Sequence, residues 1–138
     1  MSGWLLDTNV LSEARKRGRA DPGVMAFLDA ADPLDCYMPV QVIGEIRCGV
    51  ERIRRRGDVT QAQLLEDWLR QLVTGYANRT LDFDCECAEA WGAFMAADPA
   101  HPVDAQIAAI AALHDLTVVT RNTADFAATG VATHNPFS

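Results

Sequence analysis

Lysine is all but missing from this chain: of the 12 basic residues among 138, Lys16 is the only lysine and the rest are arginine. With 19 acidic residues the formal net charge is −7, which argues against broad, nonspecific attraction to a polyanion. The four cysteines, Cys36, Cys48, Cys85 and Cys87, form no C-x-x-C pair and have no histidine at zinc-ligand spacing, so they read as free thiols. Cys85-x-Cys87 is expected to mark a strand-to-helix junction with two small buried side chains. The three histidines, His101, His114 and His134, are scattered and offer no catalytic dyad, and no serine or cysteine nucleophile arrangement emerges. Long apolar runs are absent too. The longest, Ile107 to Leu113, is far too short to cross a bilayer, and the N-terminus lacks the layout of an export signal. No membrane association and a cytoplasmic location are therefore expected. With neither repeats nor low-complexity tracts nor a linker, the chain reads as one domain, 1–138.

What is present is an ordinary globular composition, 49% hydrophobic and 22% charged, arranged as strands alternating with helices. Trp4 to Leu6 is an apolar run ending in Asp7, as in a buried strand that delivers a carboxylate to the C-terminal edge of an α/β sheet. A strand-end turn in which Asp7 bonds the backbone of Asn9 gives the same pattern. A short helix follows from Thr8 to Ala14, then a basic loop around Gly18. Asp21-Pro22 opens a second helix, with Asp21 as cap and Pro22 in the first turn, and Pro33 prevents its continuation.

Asp35 to Val40 is the second strand expected. Gln41 to Arg55 is a helix whose Val42, Ile43, Ile46, Val50 and Ile53 share a face. Thr60-x-x-Gln63 reads as a capping box opening the next helix, paired with the previous one through Gly57. Arg79 to Phe83 is a short strand, and Asp84 caps a helix carrying Trp91 and Phe94. The two prolines of Asp98-Pro99-Ala100-His101-Pro102 impose a loop, and Asp104 heads the buried helix Ala105 to Leu113. Leu116 to Thr120 is a strong strand, and Val131 to His134 a last short one at an edge. Such alternation implies parallel pairing with helices on both faces of the sheet.

Four acids, Asp7, Glu45, Asp104 and Asp125, open or close apolar elements in four separate segments. Individually each has a bland reading. Glu45 sits about 110° from the centre of its helix's apolar stripe, as an exposed glutamate would, and Asp104 is placed to cap a helix. Hard oxygen donors without a soft-ligand cluster favour Mg²⁺ or Mn²⁺ over zinc, and two such ions would bring the formal −7 to about −3.

With the phrases Leu5-Leu6-Asp7-Thr8-Asn9-Val10-Leu11-Ser12, Gly44-Glu45-Ile46-Arg47-Cys48-Gly49, Val103-Asp104-Ala105 and Thr120-Arg121-Asn122-Thr123-Ala124-Asp125-Phe126, the chain resembles the PIN-domain family. It is most similar to the VapC toxins of bacterial toxin–antitoxin pairs, in their FitB-like branch, in register from Trp4 to about Phe137. The resemblance implies a three-layer α/β/α domain with a central, mainly parallel sheet. It also implies a Mg²⁺- or Mn²⁺-dependent endoribonuclease that hydrolyses RNA with a metal-activated water.

In that reading Asp7 and Asp104 are the principal metal ligands, Glu45 and Asp125 complete the acidic site directly or through water, and Asn9, Thr120 and Asn122 give polar support. Arg47 and Arg52, from the arginine-rich stretch around Glu45, are candidate RNA contacts. A homodimer packed through Gln41 to Val73, a cognate VapB-type antitoxin, and DNA reached only through that antitoxin are the partners implied. The segment before Asp104 is short and carries Asp98, where many relatives have a longer, arginine- and glycine-bearing stretch, so no substrate contact is carried over to it.

Two other classes compete. A phosphotransfer enzyme using Asp7 is disfavoured because Asp7-Thr8-Asn9 lacks a second aspartate and no lysine follows a late strand. A catalytically silent partner-binding module remains the alternative, and the presence of all four acids weighs against it.

Overall fold

The computed structural model describes residues 3–138. Five strands, β1 (Trp4–Leu6), β2 (Cys36–Pro39), β3 (Thr80–Leu81), β4 (Thr117–Val119) and β5 (Thr133–His134), form a sheet of order β3-β2-β1-β4-β5. Every pairing is parallel, with Leu5 opposite Tyr37 on one side and Val118 on the other. Alternation along the strands sorts the core. Leu5 and Val118 face one layer, while Leu6, Met38 and Val119 face the other.

The connections fill those layers. Helices α1 (Thr8–Ala14), α2 (Pro22–Ala30), α3 (Val40–Arg55) and α4 (Val59–Gly75) lie between β1 and β3 in sequence and cover one face. Helices α5 (Cys85–Ala97) and α6 (Pro102–His114) lead from β3 to β4 and cover the other, joined by the short 3₁₀ segment Thr123–Thr129. The chain first runs outward from β1 to β3 and then returns to build on the opposite side of β1. The reversal point is the crevice between the C-terminal ends of β1 and β4, where open α/β sheets bind ligands.

Local chemistry explains the elements. Asp21 and Asp84 cap α2 and α5 through bonds from Gly23 and Val24 and from Cys87. Residues Ala105, Ile107, Ala108, Ala109, Ile110 and Ala111 of α6 are buried; the alanines let the helix lie close against its neighbours, and Ile107 and Ile110 fill the core. Gly57, at φ 92°, makes the reversal between α3 and α4 that other residues resist.

Three expectations need correction. α4 is opened by Asp58, whose side chain accepts from Gln61 N at 3.1 Å, so Thr60 lies inside the helix and the capping box does not form. α6 begins at Pro102 with His101 in the cap position, so Asp104 sits in the first turn and does not cap. Of the Cys85-x-Cys87 pair only Cys87 is buried.

Candidate active site

Asp7 follows β1 directly and becomes the N-cap of α1. Its backbone N–H bonds Val119 O at 3.0 Å, extending the β1–β4 ladder by one residue and drawing the side chain into the crevice. The residue is only 5% exposed. Oδ1 accepts from Thr8 N at 2.8 Å, and Oδ2 accepts from Thr120 Oγ1 at 2.9 Å and Asn9 Nδ2 at 3.4 Å. Burial pushes its pKa above the usual carboxylate range; the bonds from Thr120 and Thr8 oppose this, and the charge of Asp125 adds to it.

Thr120, fully buried just past β4, accepts from Asn9 Nδ2 at 3.2 Å and Asn122 N at 3.1 Å. Asn9 in turn accepts from Arg121 N at 3.0 Å. Asn9, Thr120 and Asn122 thus form one lattice that locks the end of β4 onto the start of α1.

Glu45 projects from α3, and its Oε1 accepts from Thr8 Oγ1 at 2.8 Å. Its pKa is raised by the protein crowded around the carboxyl, then by the charge of Asp7, with the Thr8 bond opposing. Asp104, in the first turn of α6, is pushed up to about 6 by burial and by the charges of Asp7, Asp125 and Glu45, with His101 acting in the opposite sense. Trp91 Nε1 bonds Pro102 O at 3.0 Å and so ties the start of α6 to α5. Asp125 lies in the 3₁₀ segment, its N–H bonded to Asn122 O at 3.0 Å.

The four acids therefore converge from four elements on the switch point, close enough for three of them to raise the fourth. Two neighbours were not evident in the sequence. Thr8 is the hydroxyl that ties Glu45 to α1. His101 lies with Nε2 3.5 Å from Asp125 Oδ1, and donor atoms of His101, Asp104 and Asp125 all fall within 4.8 Å of one another. Carboxylate oxygens that resist ionising together, with one imidazole beside them, fit a divalent cation, which neutralises the mutual repulsion.

The arginines are placed differently. Arg47 Nη1 is 2.7 Å from Glu66 and 3.2 Å from Glu51, and Arg54 engages the same two glutamates, so this network clamps α3 to α4. Arg52 is exposed on α3. The larger hollows also lie away from the acids: about 480 Å³ beside Trp68 and Tyr76, and about 550 Å³ between Ile43 and Val73. Next to Asp125 and His101 lies a smaller cleft of about 220 Å³, also lined by Phe94, Ala124 and Thr129.

A parallel sheet with this strand order, carrying acids from four elements at its switch point, defines a PIN-type fold. The chain belongs to the PIN domain family, whose model matches residues 4–131. It is 34% identical to the toxin FitB of Neisseria gonorrhoeae over 139 residues, covering 96% of this chain and 97% of that protein. Identity to the VapC ribonuclease Y4jK of Sinorhizobium fredii is 31% over 140 residues, covering 96% of each. The solved structure of FitAB bound to the IR36 DNA fragment superposes with a TM-score of 0.84 at 32% identity, covering 98% of this chain and 96% of that one. Among the described residues no helix is long and apolar enough to cross a membrane.

Proposed function

We propose that this chain is a divalent-metal-dependent endoribonuclease, the toxin of a VapBC-type toxin–antitoxin pair. The observation that carries the reading is the convergence of Asp7, Glu45, Asp104 and Asp125, with Asp104 pushed up to about 6. The names of its relatives, a toxin and a ribonuclease, support it. A cognate antitoxin holds the chain inactive, and contact with DNA comes only through that antitoxin, as the FitAB–DNA assembly of a relative suggests. Two copies pair through the α3–α4 hairpin, where Leu64 and Val73 are 53% and 39% exposed; light scattering that finds a monomer at tens of micromolar removes this element.

Asp7 and Asp104 would hold Mg²⁺ or Mn²⁺, with Glu45 and Asp125 completing the set directly or through water. When bound, such an ion supplies Lewis-acid polarisation of the scissile phosphate and eases deprotonation of water at neutral pH. The protein's own contribution is positional and electrostatic. Thr8 N and Thr120 Oγ1 hold the two oxygens of Asp7, so that carboxylate meets the substrate already oriented. Thr8 Oγ1 fixes Glu45 on the opposite flank.

The Asp104 carboxyl keeps a proton below about pH 6 and is ionised at neutral pH. Water attacks phosphorus in line, the bond to the 3′-oxygen breaks, and the products carry a 5′-phosphate and a 3′-hydroxyl. The substrate's 2′-oxygen is not the nucleophile. Of the two candidate RNA contacts, Arg52 is exposed, whereas Arg47 would first have to leave Glu51 and Glu66.

Mapping product ends tests the reading. Purified protein should give 5′-phosphate ends, lose activity in EDTA and regain it with Mg²⁺ or Mn²⁺. A 2′,3′-cyclic phosphate produced in EDTA would refute it.

A further inference from the structure

We infer that His101 is an additional ligand of this site, adding one imidazole nitrogen to its carboxylate oxygens and so shifting its preference from Mg²⁺ towards first-row transition ions such as Mn²⁺. The inference rests on the reading of Asp7, Asp104 and Asp125 as a cation site. Donor atoms of His101, Asp104 and Asp125 lie within 4.8 Å of one another, yet they come from three places: the loop before α6, its first turn, and the segment after β4. The ring stands 3.5 Å from Asp125 Oδ1, too long for a firm hydrogen bond.

At the N-cap of α6, where a side chain would ordinarily bond the free backbone N–H groups, His101 makes no capping bond. Its ring is turned instead toward the carboxylates, and 49% of the side chain stays exposed, so a hydrated ion can reach it. Mg²⁺ prefers an all-oxygen shell and dehydrates reluctantly, whereas imidazole is a good ligand for first-row transition ions. One nitrogen in the set therefore separates the two kinds of ion, which carboxylates alone do weakly.

The test uses the full chain and Mn²⁺ as probe. Pulsed electron paramagnetic resonance of the Mn²⁺-loaded protein should show coupling to an imidazole ¹⁴N that disappears in His101→Asn. Calorimetry should find Mn²⁺ bound about tenfold more weakly by that variant, and Mg²⁺ weakened less than roughly twofold. Asparagine tolerates the left-handed backbone at this position, φ 55° and ψ 60°, and His101→Gly is a second variant at ease there.

Absence of nitrogen coupling in the wild type overturns the inference, as does equal weakening of both ions, which would mark His101 as a structural partner of Asp125. Asp104→Asn separates the two levels of argument. If it abolishes Mn²⁺ binding while His101→Asn changes nothing, the acidic site stands and the role of His101 falls. If Mn²⁺ does not bind the wild type at all, both fall.

Discussion

The candidate site has two halves built on different principles. On the sheet side, Asp7 is 5% exposed and accepts bonds from Thr8 N, Thr120 Oγ1 and Asn9 Nδ2. On the helix side, no hydrogen bond to the Asp104 carboxylate occurs among the described residues, and its pKa is the one lifted to about 6. Burial is the leading cause of the upward shift in both. The sheet side offsets the cost of burying charge with fixed dipoles, and the helix side leaves that cost standing. Uncompensated charge is what a cation relieves. The sheet-side half is therefore the frame, and the helix-side half is where binding is most strongly rewarded.

The largest effect expected is on cleavage, where both halves should be needed. Asp7→Ala and Asp104→Asn should each lower RNA turnover by on the order of 10³-fold, measured on a fluorogenic RNA. Wild-type turnover in Asp104→Asn would remove Asp104 from the reaction. Next in size, the two halves should diverge in stability. Thr120→Val removes a buried hydroxyl that serves Asp7, Asn9 and Asn122, and should cost about 1–3 kcal/mol in urea denaturation. Asp104→Asn should instead stabilise the metal-free protein at pH 7.5.

The third expectation concerns pH. Asp104 has a folded pKa of about 6 against an ordinary aspartate value of 3.8, so between these values the native state binds more protons than the unfolded state. Metal-free stability should thus fall from about pH 4 to 6, by on the order of 1 kcal/mol after solvent screening, and flatten above. The same loss should be absent from Asp104→Asn. Mg²⁺ or Mn²⁺ should raise the melting temperature more at pH 7.5 than at pH 5, and equal increments in wild type and Asp104→Asn would count against Asp104 as a ligand. Smallest of all, Thr8→Val breaks only the exposed bond to Glu45; a loss of about 0.5 kcal/mol with a severalfold drop in turnover would place Thr8 as a positioning residue.

Much of the frame was legible because its signals are local. The run Trp4 to Leu6 ending in Asp7, the caps Asp21 and Asp84, the reversal at Gly57 and the edge strand near Val131 to His134 are all found close to where the sequence puts them. Ambiguity entered where two residues offer the same chemistry. Asp58 and Thr60 are both good caps, and the tight turn at Gly57 decides for the nearer one. At α6 the deciding cue was present but outweighed by the acid: Pro102 suits the first helical position, which places the cap at His101. The neighbourhood of His101 and Asp125 was not legible, because it joins residues 24 positions apart across a loop whose path only tertiary packing sets. Nor does any spacing rule mark the bond from Thr8 to Glu45, 37 residues away.

The hydrogen bond from Thr120 to Asp7 spans 113 positions of sequence, and that separation sets a timetable. At translation rates of about 5–20 residues per second, roughly 6–23 s pass between incorporation of the two residues. Until β4 is made, Asp7 has neither its main-chain partner at Val119 nor its hydroxyl at Thr120, and Asp125 does not yet exist. For a chain proposed to cut RNA, and made beside abundant RNA, the order of its elements is a safeguard. Asp7, the earliest of the four acids, stays without its site until β4 and the segment after it have been made.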